Sequence, residues 1–336
     1  MTPITGPKAW RGETLARETS WIVTLTDAEL ADIDRAVATA KASGLPLERI
    51  QREHFPLTVA RAKLEQAVTE MYDGRGFVVL RGLPVRRYSD DDVGLIFWGF
   101  GRYMGAPLYQ NPQGDLLGHV YDHGRTYGNI DVRGYETNAY LPYHTDAGDM
   151  VGLLCLRRSL EGGLSSIVSS TTVHNEILAQ HPEYLGLLYN GYYYIRREAA
   201  LTERGVSERP IPVFGYQDGV VSCRYIRNQI NAGAVKREIP LTTFERAALD
   251  FLDEQTRRPD LRLDMDLQPG DIQFINNYTI LHSRTGFVDG PEPEQKRHML
   301  RLWLKFPKPW PLSPEFPTHM GYKPAQDTPE LIEAER

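Results

Sequence analysis

The residues with the clearest capacity for chemistry are His144, Asp146 and His282. His144-Thr145-Asp146 is the one His-x-Asp in a chain of 336 residues. On a strand, or at its end, positions i and i+2 point to the same side, so this imidazole and carboxylate would converge. His282 lies 136 positions beyond Asp146, just after the apolar run Ile272 to Ile275, and offers a third donor. Two imidazoles and one carboxylate form a facial set that suits non-haem Fe(II) and leaves three positions open. The same donors with a bound water also fit a zinc hydrolase, although the chain lacks a helical His-Glu-x-x-His. A surface histidine bonded to its own aspartate gives the same tripeptide.

A second set of residues could read anions. Arg297-His298-Met299-Leu300-Arg301-Leu302-Trp303-Leu304 alternates as a strand does. Leu300, Leu302 and Leu304 share one face, and Arg297 and Arg301 share the other, ~13 Å apart at ~3.3 Å per residue. Planar guanidinium forks suit carboxylates. A solvated outer face would look the same. Tyr192 to Arg197 and Cys223 to Asn228 interleave aromatics with arginine. Arg224, Tyr225 and Arg227 could therefore read an anionic small molecule such as an amino acid, or be the solvated side of half-buried strands. Gln110, Asn111, Asn138 and Tyr140 precede the metal motif and could line the mouth of a site. His119, His123 and His174 read as ordinary surface or packing histidines.

Composition narrows the field. The chain carries 38 basic and 44 acidic side chains, a net charge of −6, with no Lys/Arg block, so it is a poor candidate for nucleic acid. Its two cysteines, Cys155 and Cys223, cannot build a disulfide framework or a four-thiolate zinc site. They fit a reducing, cytoplasmic compartment. No apolar run approaches the ~18 residues of a membrane span, and the first residues lack a signal peptide's apolar stretch. The expected partner is a small molecule, with no membrane, and a homo-oligomer is left open.

The elements that must hold these residues follow from patterning. Residues 1–25 read as an irregular leader. Thr26-Asp27-Ala28-Glu29 is a capping box opening a helix that Gly44 stops. A second helix is expected from Thr58 to Tyr72, a buried strand at Phe77 to Leu80, and a third helix after Ser89. From about residue 105, strand-like runs alternate with turns: Met150 to Leu156, Ser166 to Ser170, Tyr192 to Arg196, Val220 to Ile226, Ile272 to Ile275 and Met299 to Phe306. Helices are expected from Thr172 to Leu188 and, after the capping box at Thr242, to Glu254. The Pro-rich tail from Pro307 reads as a wrapping arm or loose end. No linker divides the chain, so one domain is expected: a leader and helices over 1–70, a β core over 71–306 and a tail over 307–336. The expected class is mainly β, with flanking helices.

In order along the chain, these residues resemble the taurine dioxygenase/clavaminate synthase-like oxygenases that use Fe(II) and 2-oxoglutarate. The matching blocks are Arg75 to Pro84, Leu141 to Asp146, Gly162-Gly163-Leu164-Ser165, Leu267 to Asp271, Asn277 to Arg284 and Arg297 to Leu304. The resemblance implies a double-stranded β-helix, or jelly roll, with His144, Asp146 and His282 as iron ligands. It implies that Arg297 holds the distal carboxylate of 2-oxoglutarate, with Ser165 adding a hydroxyl and Arg301 supporting it or meeting substrate. Where the family has Gly-Gly-x-Thr this chain has serine. The implied reaction consumes O2 and 2-oxoglutarate, releases succinate and CO2, and most often hydroxylates a small molecule. Desaturation and ring closure are variants. A zinc hydrolase, or a jelly-roll binding protein without catalysis, is the alternative. Asn276 and Asn277 are candidates for orienting the ligands.

Overall fold

The computed structural model describes residues 2–111, 113–126, 132–195 and 205–316. Two sheets carry the architecture. The larger has seven strands: β1 (Ile22–Thr24), β2 (Phe77–Arg81), β3 (Ala106–Pro107), β4 (Leu117–Val120), β6 (Met150–Arg157), β12 (Ile272–Asn276) and β15 (His298–Lys305). Their order is β1-β2-β12-β6-β15-β3, with β4 also on β15. The smaller sheet is β11 (Arg262–Met265), β8 (Ser165–Ser169), β13 (Ile280–Arg284) and β5 (Leu141–His144), in that order. Two short pairs complete the β structure, β7 (Glu161–Gly162) with β14 (Phe287–Val288) and β9 (Phe214–Gln217) with β10 (Val220–Cys223).

Eight helices flank the sheets among the described residues: α1 (Gly12–Leu15), α2 (Asp27–Ala42), α3 (Arg61–Tyr72), α4 (Asp90–Met104), α5 (Ser170–Gln180), α6 (Pro182–Asn190), α7 (Arg227–Lys236) and α8 (Thr243–Arg257). Together they hold more residues than the strands. The chain is therefore mixed α and β rather than mainly β, because each sheet needs helices to cover its outer face.

Strand alternation explains the layering. Along β15, Leu300, Leu302 and Leu304 enter an apolar cluster with Leu64 and Met71 of α3 and Phe97 and Phe100 of α4. Met299 and Trp303 point the other way, into a cluster with Ile167, Leu263 and Ile280 of the smaller sheet. The smaller sheet's outer face, through Val168 and Leu281, packs on α5, α6 and α8. The order of layers is thus helices, large sheet, small sheet, helices. Burial of these side chains, worth ~1.5–3 kcal/mol each, holds the layers together.

Local signals set most boundaries. The capping boxes at Thr26 and Thr242 both form, with Glu29 and Glu245 closing them. The expected helix from Thr172 to Leu188 is two helices broken at His181, because Pro182 cannot donate to continue the first. The expected strand Tyr192 to Arg196 is not one. Tyr192 and Ile195 make only isolated bridges, and 196–204 lie outside the described residues. The run Val220 to Ile226 stops pairing at Cys223. Of the Pro-rich tail, 307–316 wrap the molecule: Trp310 donates to Ser222 Oγ, and Tyr72 Oη donates to the Pro309 carbonyl. The rest of the tail lies outside the described residues.

Candidate active site

β5 and β13 are antiparallel neighbours with His144 opposite His282 in register. That pairing brings the two rings together, 4.2 Å between centroids. Asp146 follows β5 by two residues and turns back toward both. Its Oδ1 is 3.8 Å from His144 Nε2, and its Oδ2 is 3.9 Å from His282 Nε2. One donor atom from each of the three residues lies within 4.8 Å of the others.

The donors are prepared for a cation. His144 Nδ1 lies 2.8 Å from the Pro142 carbonyl, so Nδ1 carries the proton and Nε2 keeps its lone pair. Burial pushes the His144 imidazole below its usual range, and burial with His144 alongside pushes His282 down to about 3. Burial alone would raise the Asp146 carboxyl, but Arg301 and the two imidazoles outweigh it and hold it at about 2. Two neutral imidazoles and an ionised carboxylate are the protonation states a divalent metal needs.

The surroundings fix Asp146. Trp303 Nε1 donates to Oδ2 at 3.0 Å, and Arg301 Nη1 is 3.6 Å from the same oxygen. Asn277 Oδ1 accepts from the Asp146 N–H, while Asn277 Nδ2 donates to the Gly148 carbonyl. Asn276 instead donates to the Met71 carbonyl and serves the fold.

Arg297, just before β15, and Met299, Arg301 and Trp303 on it all line one cavity, so the two arginines point between the sheets and not to solvent. They differ in company. Arg301 Nε donates to Gln110 Oε1, Gln110 Nε2 donates to the Arg301 carbonyl, and Tyr135 and Trp303 flank the guanidinium. Arg297 is buried, its Nη1 has no hydrogen-bond partner, no carboxylate forms an ion pair with its guanidinium among the described residues, and the Phe287 ring lies 5.4 Å away; Asp289 accepts from its backbone N–H. Burial lowers it to about 10, which leaves it charged at neutral pH. A buried cation without a counter-ion is costly and calls for an anion. Gly162 and Gly163 both have φ near +70°, and a Cβ on Gly163 would crowd Arg297 at 3.1 Å. Ser165 begins β8 beside them, with its hydroxyl donating to Gln273 Oε1.

These groups open into one cavity of about 730 Å³. Six arginines line it (Arg133, Arg209, Arg227, Arg284, Arg297 and Arg301), and Asp146 is the only carboxylate among the described lining residues. Arg227, Ser165, His144, Asp146 and His282 are thus gathered here. Arg224, Tyr225, Asn138 and Tyr140 do not line the cavity. Arg224 and Tyr225 are fully buried behind it, and the Tyr225 hydroxyl donates to Asp253. Tyr140 is exposed, and Asn138 uses its carbonyl to accept from the Phe287 N–H. Gln110 supports Arg301 from behind, and Asn111 bonds Asp115. His174 packs in α5 against Tyr189. Sequence reasoning missed Trp303 and Arg284, although strand parity with Arg301 and with His282 marked both. It also missed Arg133, Arg209 and the tail residues Leu312, Ser313, Pro314 and Phe316 in the cavity wall, and Gln273 as the partner of Ser165.

Three convergent neutral-or-anionic donors beside an unneutralised buried cation define the class: a mononuclear non-haem metal enzyme with room for an anionic co-substrate. The sequence model of the taurine catabolism dioxygenase TauD, TfdA family matches residues 42–303. The FR-33289 synthase of Streptomyces rubellomurinus is 31% identical over 309 residues, covering 90% of this chain and 90% of that protein. A taurine hydroxylase-like protein of Stachybotrys chartarum is 29% identical over 308 residues, covering 88% of this chain and 77% of that one. In fold, the chain is similar to an asparagine oxygenase solved with Fe(II), 2S,3S-3-hydroxyasparagine and succinate. The TM-score is 0.65 at 18% identity, covering 84% of this chain and 93% of that one. The non-haem iron oxygenase OrfP, solved with iron and alpha-ketoglutaric acid, gives 0.62 at 18% identity, covering 84% and 94%. The chain belongs to the TauD, TfdA family and is an Fe(II)/2-oxoglutarate-dependent oxygenase acting on a small molecule.

Proposed function

We propose that this enzyme hydroxylates an anionic small molecule, with iron held by His144, Asp146 and His282 and 2-oxoglutarate anchored by Arg297. The observation that carries this reading is a single cavity holding three convergent donors and a buried guanidinium with an unsatisfied Nη1 and no ion pair among the described residues. Iron and 2-oxoglutarate, when bound, supply the oxidising chemistry: one O2 is consumed, succinate and CO2 leave, and one oxygen atom enters a substrate C–H bond.

The chain's own part is binding and orientation. Arg297 pairs with the distal carboxylate, and Ser165 turns its hydroxyl from Gln273 toward the same group. Arg301 is already committed to Gln110 and Asp146, so its role is to hold the metal carboxylate. Arg227 is tied to Asp250 and Asp253, which fixes it as a rigid part of the wall. Arg209 has no ion pair or hydrogen bond among the described residues and is the guanidinium left to meet the substrate's anionic group. Ile226, Leu312 and Phe316 supply apolar wall that keeps water from the reacting carbon.

The two stacked sheets support reading the core as the halves of a double-stranded β-helix, within one oxygenase domain over 1–336. Both cysteines are free and buried, which supports a reducing, cytoplasmic location. No helix among the described residues is long and apolar enough to cross a membrane.

Anaerobic titration of apoprotein tests the site. His144→Ala and His282→Ala are each expected to abolish stoichiometric Fe(II) binding, and iron surviving in both would overturn the ligand assignment. Succinate release that needs Fe(II), O2 and an anionic substrate supports the reaction, whereas hydrolysis with zinc alone would restore the hydrolase reading.

A further inference from the structure

Behind the cavity, β10 ends at Cys223 and the chain crosses the back of the metal loop before α7 begins at Arg227. This short crossing makes three hydrogen bonds to the two residues after His144. Arg224 Nη1 donates to the Asp146 carbonyl. The Thr145 N–H donates to the Tyr225 carbonyl at 2.9 Å, and the Tyr225 N–H donates to Thr145 Oγ1 at 3.1 Å.

Arg224 is an expensive residue to place there. It is fully buried. Its Nε and Nη2 have no hydrogen-bond partner, and among the described residues no carboxylate forms an ion pair with it. The face of Tyr278 lies 6.0 Å away. Its backbone is pinned on both sides, the N–H donating to Val213 and the carbonyl accepting from the Tyr194 hydroxyl. A buried guanidinium with two of its three nitrogens unsatisfied destabilises a fold relative to an apolar side chain of similar volume. It does not line the cavity, so it cannot touch substrate. The one hydrogen bond of its side chain among the described residues goes to the peptide that carries Asp146.

We propose that Arg224 is a positioning residue for the Asp146 carboxylate, fixing the metal loop from behind at the expense of stability. The proposal rests on the assignment of Asp146 as a metal ligand. The crossing continues directly into Ile226, Arg227, Asn228 and Gln229, which line the cavity. The clasp on the metal loop and one wall of the substrate space are therefore a single stretch of chain.

The test measures thermal stability of the apoprotein and anaerobic Fe(II) affinity, without co-substrate, in wild type, Arg224→Met, Arg224→Lys and His144→Ala. Arg224→Met is expected to keep or raise the melting temperature while weakening iron binding about 10-fold or more, the usual scale for loss of an outer partner of a metal ligand. Arg224→Lys, which keeps a cationic donor, should bind iron more tightly than Arg224→Met. A residue with a merely structural role would lower the melting temperature and leave iron affinity alone. That result, a methionine variant that fails to fold, or a lysine variant no better than methionine, overturns the proposal. If His144→Ala also leaves iron affinity unchanged, the metal assignment itself is wrong. If His144→Ala loses iron and Arg224→Met does not, only the role of Arg224 falls.

Discussion

At the scale of single residues, Arg297 and Arg301 show how the same side chain on the same face can do different work. Arg301 is clasped by Gln110 and faces Asp146, while Arg297 is buried with an unsatisfied Nη1. Removing Arg297 should therefore affect the co-substrate and not the metal. Arg297→Met is expected to raise the Kd for 2-oxoglutarate by roughly 30-fold to 5000-fold, from the ~2–5 kcal/mol typical of truncating a buried charge partner. Calorimetry should also show unchanged Fe(II) binding and no fall in apoprotein stability. The convergence of three donors was legible in the sequence because strand parity and chemical type coincide at His144, Asp146 and His282. Arg224 and Tyr225 were legible as unusual but not as to place. Alternating aromatics and arginines say nothing about which side of a loop faces a cavity, and here both face away.

Elements bring those residues together, and some depend on distant side chains. α3 has no side-chain cap of its own at Ala60. Asp32, on α2, supplies it from outside by accepting the N–H groups of Thr58, Val59 and Ala60 and the Thr58 hydroxyl. Burial alone would raise the Asp32 carboxyl, but these hydrogen bonds outweigh it and hold it at about 2. A depressed carboxyl stabilises the fold in full above its unfolded value of ~3.9, and the contribution is lost as pH falls toward 2. Asp32→Ala is expected to cost about 2–4 kcal/mol near neutral pH, as the loss of a buried hydrogen-bond network does. The gap in urea midpoint between variant and wild type should narrow as pH drops below about 4. The capping boxes at Thr26 and Thr242 were visible in sequence because each is closed within four residues. The start of α3 was not, since its cap comes from another helix. The break at His181 was signalled by Pro182, and α7 was hidden by its weak apolar pattern.

Across the whole molecule, a net charge of −6 coexists with a cavity lined by six arginines and one carboxylate. The enclosed basic space, not the overall charge, sets which ligand is taken up. Arg209→Ala is expected to raise KM for the anionic substrate by about 10-fold to 100-fold, the scale of a charge-assisted hydrogen bond. Steady-state kinetics should show kcat little changed, and Fe(II) and 2-oxoglutarate binding should be as in wild type. The layered packing of helices on sheets was only half legible. Alternation along Met299 to Leu304 marked a strand with two buried faces, but the bulk of helix covering the sheets exceeded what the strand-like texture after residue 105 conveyed.

The cavity wall has two origins with different freedom to change. His282 and Arg301 sit on strands, and Arg297 just before one, whose adjacent residues, Leu281 and Leu300 among them, are core on the opposite face. A substitution there disturbs two layers at once. Arg209, Asn228, Leu312 and Pro314 belong to loops, a helix start and the wrapped tail, so far less is packed behind them. Substrate range can therefore drift by mutation in these segments while the oxidising centre is left intact. A family built this way can diversify its substrates far faster than its chemistry.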